Sequence, residues 1–209
     1  MTDTPDTAPE IRGGFPPIKP LEDAPPELGR FADAMRRLQD LTVSTNPDPA
    51  MWTTAAQHIE NACVVLDGHQ VPEALAPAGR AIGLPGLGHP LLPPWTITDS
   101  GPDGVTMEGH FTQAHVGGNH AVHGDMIPLL YDWHFGMIVT TAGIRLTRTA
   151  YLHVDYRKIT PIDEPLTARG RITEIDGRKV FVGATMTDAD GTLLSEANGL
   201  MIRLLPHQP

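Results

Sequence analysis

The chain has 209 residues, a formal net charge of −10 at pH 7 and a single cysteine. The acidic excess argues against a nucleic-acid binder, whose affinity arises from basic surface against phosphates. One cysteine excludes an internal disulfide, and no segment approaches the roughly 20 continuous apolar residues of a membrane span. We therefore expect one soluble, cytoplasmic domain with an appended segment, binding neither nucleic acid nor membrane.

The first 20 residues are acidic and rich in proline, and they lack the apolar stretch of a secretory signal. Such a composition buries too little apolar surface to fold by itself. The sequence predicts a disordered tail over residues 1–20.

Residues 21–94 contain two apolar patterns with helical spacing. Asp48 and Pro49 are typical of a helix start, and Gly68 is typical of a helix end. These signals predict a helical hairpin with Cys63 in its core, followed by a Pro/Gly-rich linker up to residue 94. The hairpin could cover the sheet, extend a dimer interface or form a lid over a pocket. The apolar positions are Leu28, Phe31, Met35, Leu38 and Leu41, then Trp52, Ala55, Ile59, Ala62, Cys63 and Leu66.

Residues 95–209 change to strand periodicity, interrupted by one helix over about 124–139. A hairpin over Trp95–Thr98 and Val105–Phe111 precedes the helix, and four strands follow it. Asp176-Gly177 and Asp190-Gly191 predict tight hairpins of type I′, whose two central residues need positive φ. The order predicts an α+β fold in which an antiparallel sheet wraps around a long central helix.

The helix carries the strongest functional signal. His123-Gly124 stands nine residues before Asp132, and between Met126 and Val139 only Asp132 and His134 can ionise near neutral pH. We expect Asp132 to be buried, which requires a functional reason because uncompensated burial of a charge is costly.

This arrangement, together with Tyr151-Leu-His-Val-Asp-Tyr156 leading to Thr160-Pro161, resembles the hotdog-fold acyl-CoA thioesterases of the phenylacetyl-CoA thioesterase-like branch. The resemblance covers about residues 95–205. It implies hydrolysis of an acyl-CoA to a free acid and CoA, with no metal or other cofactor. Asp132 falls on the catalytic acid, and Thr149 on a hydroxyl that faces the thioester. Family members usually have His-Gly-Gly where this chain has His123-Gly124-Asp125.

Elementary chemistry agrees with this assignment. Thioester hydrolysis needs a base or nucleophile near the carbonyl carbon and donors for the oxyanion, which free N–H groups at a helix N-terminus supply. Gly124 lets substrate approach that backbone, and Asp132 is the candidate base or nucleophile. Eight helical residues separate them by roughly 12 Å, so one helix cannot present both to one carbonyl. A homodimer, or a dimer of dimers, would pair Gly124 of one chain with Asp132 of another.

The remaining candidates leave alternatives open. Asp125 is either an N-cap or a residue that alters substrate choice or weakens catalysis. Asn119 is either turn chemistry or a donor to the thioester. His123 positions the loop in our interpretation, although a metal site with His115 and His120 is an alternative.

At the end of the first strand after the helix, three residues are candidates for binding acyl-CoA, the two basic ones through its phosphates: Tyr156, Arg157 and Lys158. Two other functions remain on the same fold: a non-catalytic acyl-thioester binder, and a hydratase or dehydratase.

Overall fold

The computed structural model describes residues 20–144 and 146–205. The predicted tail lies outside the described residues except for residue 20. Residues 206–209, the end of the predicted domain over 95–209, also lie outside them. The described residues contain three α-helices: α1 (Pro26–Ser44), α2 (Pro49–Leu66) and α3 (Met126–Thr141). None of these helices combines the length and the apolar character needed to cross a bilayer.

Eight strands occur in the same part of the chain: β1 (Thr96–Gly101), β2 (Gly104–Gly109), β3 (Val116–Gly118), β4 (Ala121–Val122), β5 (Thr147–Tyr156), β6 (Leu166–Asp176), β7 (Lys179–Asp188) and β8 (Leu193–Arg203). Six form one antiparallel sheet in the order β1-β2-β6-β7-β8-β5. Strand β5 therefore forms one edge of the sheet, and β3 pairs with β4 in a separate small hairpin.

Helix α3 packs on one face of this sheet and forms the core with its inward side chains. Burial alternates along β7, as expected when only one face of a strand is covered. A Cβ on Gly199 would lie 2.7 Å from the ring of Phe135, so a glycine is needed where β8 and α3 meet. The largest fully buried side chains include Trp95, Phe111, Met107, Leu130, Tyr131, Phe135, Leu166 and Met186. The predicted α+β fold, a sheet wrapped around a central helix, is confirmed.

The predicted hairpins after α3 are confirmed, but their turn type is not. In both Asp-Gly steps only the glycine has positive φ, 55° at Gly177 and 79° at Gly191. Type I′ would need positive φ at both central residues, so that part of the prediction is wrong.

Helix α1 is tied to the rest of the domain by polar contacts. The Arg36 guanidinium donates to the carbonyl oxygen of Pro85 at 2.9 Å, and its burial lowers the pKa of Arg36. The Asp40 carboxylate accepts a hydrogen bond from the backbone N–H of Ala114 at 2.9 Å. Residues 85 and 114 are distant in sequence, so α1 holds the Pro/Gly-rich segment against the loop that leads to β3.

Helix α2 begins as predicted, with the Asp48 side chain accepting from the Met51 N–H at 2.8 Å. It has no buried residue, and α1 and α2 do not pack along each other within the described residues. Cys63 is exposed. Its expected place in a core is therefore wrong for the single chain, since no described element covers α2.

Candidate active site

Asp132 and Thr149 form one half of the candidate site. The Thr149 hydroxyl donates to a carboxylate oxygen of Asp132 at 2.7 Å, linking α3 to β5. The expected burial of Asp132 is wrong in the single chain, because its side chain is exposed. The sheet covers only the opposite side of α3, where the buried residues are Ile127, Leu130, Tyr131, His134, Phe135, Ile138 and Val139.

The loop before α3 forms the second half. The backbone N–H of His123 donates to the His115 carbonyl oxygen at 2.8 Å, and the His123 ring nitrogen accepts from the Asp125 N–H at 3.2 Å. Within the described residues, the Gly124 N–H makes no hydrogen bond. It is therefore available to a ligand at the start of the helix.

Asp125 occupies the N-cap position but does not cap the helix with its side chain. Its φ of −73° and ψ of −17° are helical, whereas a capping residue normally has an extended backbone from which its side chain reaches back to the first turn. The carboxylate is 93% exposed and lies 3.7 Å from the His123 ring nitrogen. The capping interpretation is therefore wrong, because the carboxylate accepts no hydrogen bond from the first turn of the helix.

Tyr156 holds the glycine loop from the end of β5. Its hydroxyl donates to the Gly124 carbonyl oxygen at 2.9 Å. Burial, followed by the nearby charge of Asp125, raises the pKa of Tyr156, which keeps the hydroxyl protonated as a donor.

A cleft of about 420 Å³ opens beside this loop. It brings together four of the residues predicted for the site, Gly124, Tyr156, Arg157 and Lys158. A depression of about 600 Å³ elsewhere in the fold, lined in part by Arg169 and Arg171, contains none of the predicted site residues.

The two basic residues of the cleft differ in their surroundings. Arg157 donates to Glu196 at 2.7 Å and lies 3.3 Å from Asp155, and the hydrogen bond to Glu196 raises the pKa of Arg157. Lys158 has no ion-pair partner among the described residues. It is therefore the basic group freer to meet an anion.

Asn119 and His120 lie in the turn between β3 and β4, with φ of 51° and 58°. Positive φ at two successive residues is the backbone of a tight hairpin turn, which supports turn chemistry for Asn119. The His115 ring accepts from the Thr112 N–H at 2.8 Å. Within residues 20–144 and 146–205, no group of three or more His, Cys, Asp or Glu side chains is arranged to hold a metal ion.

Two residues near the cleft were missed from the sequence. Glu196 binds Arg157 across 39 positions, a pairing that depends on the register of β5 with β8 and has no local signal. Thr160 lines the cleft, and its buried hydroxyl has no hydrogen-bond partner among the described residues. The Thr160-Pro161 step after Tyr156 was the available signal for it.

The two halves lie at opposite ends of β5. Thr149 is near its start and Tyr156 is its last residue. Seven residues of strand span roughly 23 Å. The chain therefore carries two separate clusters, Asp132 with Thr149 and Gly124 with Tyr156.

Comparison with protein-family models matches residues 119–195 to the thioesterase superfamily. The acyl-coenzyme A thioesterase THEM4 of Rattus norvegicus is 36% identical over 89 residues, 42% of this chain and 38% of that protein. The chain thus spans well under half the length of this curated relative.

Solved structures agree with the fold. A thioesterase superfamily protein of known crystal structure superposes with a TM-score of 0.74 and 26% identity, covering 88% of this chain and 97% of that one. A Streptococcus mutans protein bound to acetyl CoA superposes with a TM-score of 0.51 at 17% identity, covering 55% and 91%. Residues 119–195 are therefore similar to the thioesterase superfamily, and the sheet that wraps α3 has the hotdog fold.

Proposed function

We propose that the protein is an acyl-CoA thioesterase that hydrolyses an acyl-CoA to a free carboxylic acid and CoA. The observation that carries this proposal is the hydrogen bond between the Thr149 hydroxyl and the Asp132 carboxylate, on an exposed face of an otherwise apolar helix. The similarity to the rat acyl-coenzyme A thioesterase supports the substrate class, and so does the acetyl CoA bound by the Streptococcus mutans protein.

In the proposed reaction Asp132 acts as general base. It takes a proton from water while the water oxygen attacks the thioester carbonyl carbon. Thr149 holds the carboxylate in place through its hydroxyl. The oxyanion accepts from the Gly124 N–H, the C–S bond then breaks, and the CoA thiolate takes up a proton. Attack by the Asp132 carboxylate itself, followed by hydrolysis of the anhydride, uses the same residues.

One chain does not place these groups around a single carbonyl. Gly124 precedes α3 and Asp132 lies on it, about 12 Å further along the helix. A two-fold axis near the middle of the edge strand β5 would bring the Thr149 end of one copy to the Tyr156 end of the other. We therefore propose a homodimer with two active sites, each using Asp132 from one copy and Gly124 from the other.

In this dimer the CoA portion lies along the cleft beside Gly124. Lys158 contributes a free positive charge for a phosphate, while Arg157 remains bound to Glu196. Tyr156 fixes the loop rather than the substrate, because its hydroxyl is already donated to Gly124.

The test follows thiol release from short-chain, aromatic and long-chain acyl-CoAs. We expect turnover by the wild type and a loss of at least about a hundredfold in Asp132→Asn, which keeps an oxygen for Thr149 but is a poor base. Asp99→Asn, at an exposed position on β1, is the matched control and keeps full rate. Binding of acyl-CoA without release of thiol by the wild type would instead support a non-catalytic binder.

The shared site has its own test. Co-expression of an Asp132→Asn chain with a Gly124→Val chain gives dimers in which one of two sites has both intact groups. Random pairing then restores up to about a quarter of wild-type activity. Two inactive variants that stay inactive when co-expressed would show that both groups act within one chain.

A further inference from the structure

Helix α2 carries an apolar stripe that nothing in the described part of the chain covers. Trp52, Ile59 and Leu66 recur every seven residues, which is the spacing of a helix that packs on another helix. The residues between them on the same face are small: Ala55, Ala62 and Cys63. Trp52, Ile59 and Leu66 are 40%, 42% and 52% exposed. Helices of this length gain little stability in water by themselves. The stripe therefore needs a partner.

Helix α1 presents a second stripe of the same kind. Phe31, Leu38 and Leu41 lie on one face, and Phe31 and Leu41 are each 44% exposed. This face differs from the one that docks on the domain, which carries the buried Ala32 and the tethered Arg36. Among residues 20–144 and 146–205, each chain thus offers two apolar stripes that no other element covers, one on each helix.

The connection between the helices explains why the stripes do not meet within one chain. Thr45 has φ of −123° and ψ of 156°, and Asp48 has φ of −67° and ψ of 164°, both extended. Pro47 and Pro49 restrict this segment further. The extended connection directs α2 away from α1 instead of folding it back.

Charge distinguishes the two helices. Helix α1 carries three arginines and three acidic residues, Glu27, Asp33 and Asp40. Of the arginines, Arg30 and Arg37 border the stripe, are exposed, and have no ion-pair partner among the described residues. Helix α2 carries Glu60 and is bounded by Asp48 and Asp67, with no Lys or Arg. The two arginines beside the stripe of α1 can therefore pair with Glu60 of α2, which has no basic residue of its own.

We propose that α2 of one copy packs along the outward stripe of α1 of a second copy, so that two chains exchange their α2 helices. A second copy covers both stripes at once. Under two-fold symmetry, α2 of each copy packs on α1 of the other, so the same contact forms twice. The exchange concerns assembly and does not depend on whether the protein hydrolyses a thioester.

Disulfide trapping tests the contact, using Cys63 beside Ile59 on the α2 stripe. Phe31→Cys and Leu41→Cys each add one thiol near one end of the α1 stripe, so either direction of packing is sampled. After mild oxidation, we expect a double-mass band on a non-reducing gel with at least one variant and not with wild type. Monomer bands in both variants, or the same dimer band in wild type, would overturn the proposal.

Thiol reactivity provides a second measurement. We expect Cys63 in the native protein to react with a thiol reagent at least about tenfold more slowly than in urea, because the contact covers it. In the Ile59→Asp variant, Cys63 should react as fast as it does in urea. In the Gln57→Asp variant, which changes the opposite side of α2, Cys63 should keep the slow wild-type rate. Both variants leave the domain folded, since α2 contributes no buried residue. If Cys63 of the wild type already reacts at the rate of the unfolded protein, the proposed exchange of α2 helices is wrong. Hydrolysis of acyl-CoA is assayed separately and tests the proposed reaction.

Discussion

The Thr149 hydroxyl donates to the Asp132 carboxylate at 2.7 Å, joining two residues that are 17 positions apart on different elements. The bond fixes one carboxylate oxygen and leaves the other free on an exposed surface. A hydrogen bond to a charged group contributes about 1.5–3 kcal/mol. Thr149 is thus well placed to set the orientation of the proposed base.

Substitution of Thr149 separates this role from simple packing. We expect Thr149→Ala to lower kcat by roughly ten- to a hundredfold with a small change in KM, because the base loses its orientation. Thr149→Ser keeps the hydroxyl and should retain most of the rate. Steady-state kinetics on one acyl-CoA measures both. Equal losses in the two variants would indicate that the methyl group, and not the hydroxyl, matters.

A methyl group on Gly124 tests the proposed approach of substrate to the helix N-terminus. A Cβ there would meet only the Tyr156 hydroxyl, at an ordinary contact distance of 3.8 Å. We therefore expect Gly124→Ala to keep the wild-type melting temperature and to lose at least about tenfold in kcat/KM.

Gly117 provides the contrast, because its Cβ would lie 2.7 Å from the His123 backbone. Gly117→Ala should lower the melting temperature as well as the activity, since the hairpin before α3 must shift. Full activity in Gly124→Ala would show that the substrate does not approach the helix N-terminus closely at this position, since alanine keeps the backbone N–H.

Asp125 places a negative charge beside the proposed oxyanion donor. We expect Asp125→Asn to raise kcat several-fold, because a carboxylate at this helix end opposes the developing negative charge. The melting temperature should change little, since the side chain makes no capping hydrogen bond. A lower kcat together with a higher KM would show instead that the carboxylate binds substrate.

The buried His134 predicts how stability depends on pH. Its Nε2–H donates to the Val105 carbonyl oxygen at 2.9 Å, and burial lowers the pKa of His134. Protonation is then easier in the unfolded chain, so this contribution to stability is present above the unfolded value of about 6.5 and is lost as the pH falls below it.

Urea unfolding between pH 7.5 and 5.5 measures this dependence. One proton accounts for at most about 1.4 kcal/mol per pH unit in the free energy of unfolding. His134→Gln should flatten the curve, whereas His69→Gln, at an exposed position, should leave it unchanged. Burial lowers the pKa of His115 in the same direction, so His115→Gln should remove a further part of the slope.

The sequence alone was sufficient for the α+β fold and for most element positions, because these depend on local periodicity and turn chemistry. The predicted helix over 124–139 is α3 at Met126–Thr141, and Asp48 caps α2 as expected. The spacing of Gly124 and Asp132 also predicted that the two residues lie far apart on one chain, since helix rise is the same in every protein.

Only the tertiary structure decided which of these groups meet and which are covered. The Arg157–Glu196 pair depends on the register of β5 with β8, and the exposure of Asp132 depends on the sheet covering a single side of α3. Apolar periodicity marks a surface that needs a partner without naming that partner. For this reason the apolar pattern of α2 suggested a core around Cys63. In the folded chain this face of α2 is exposed, and in our proposal a second copy covers it.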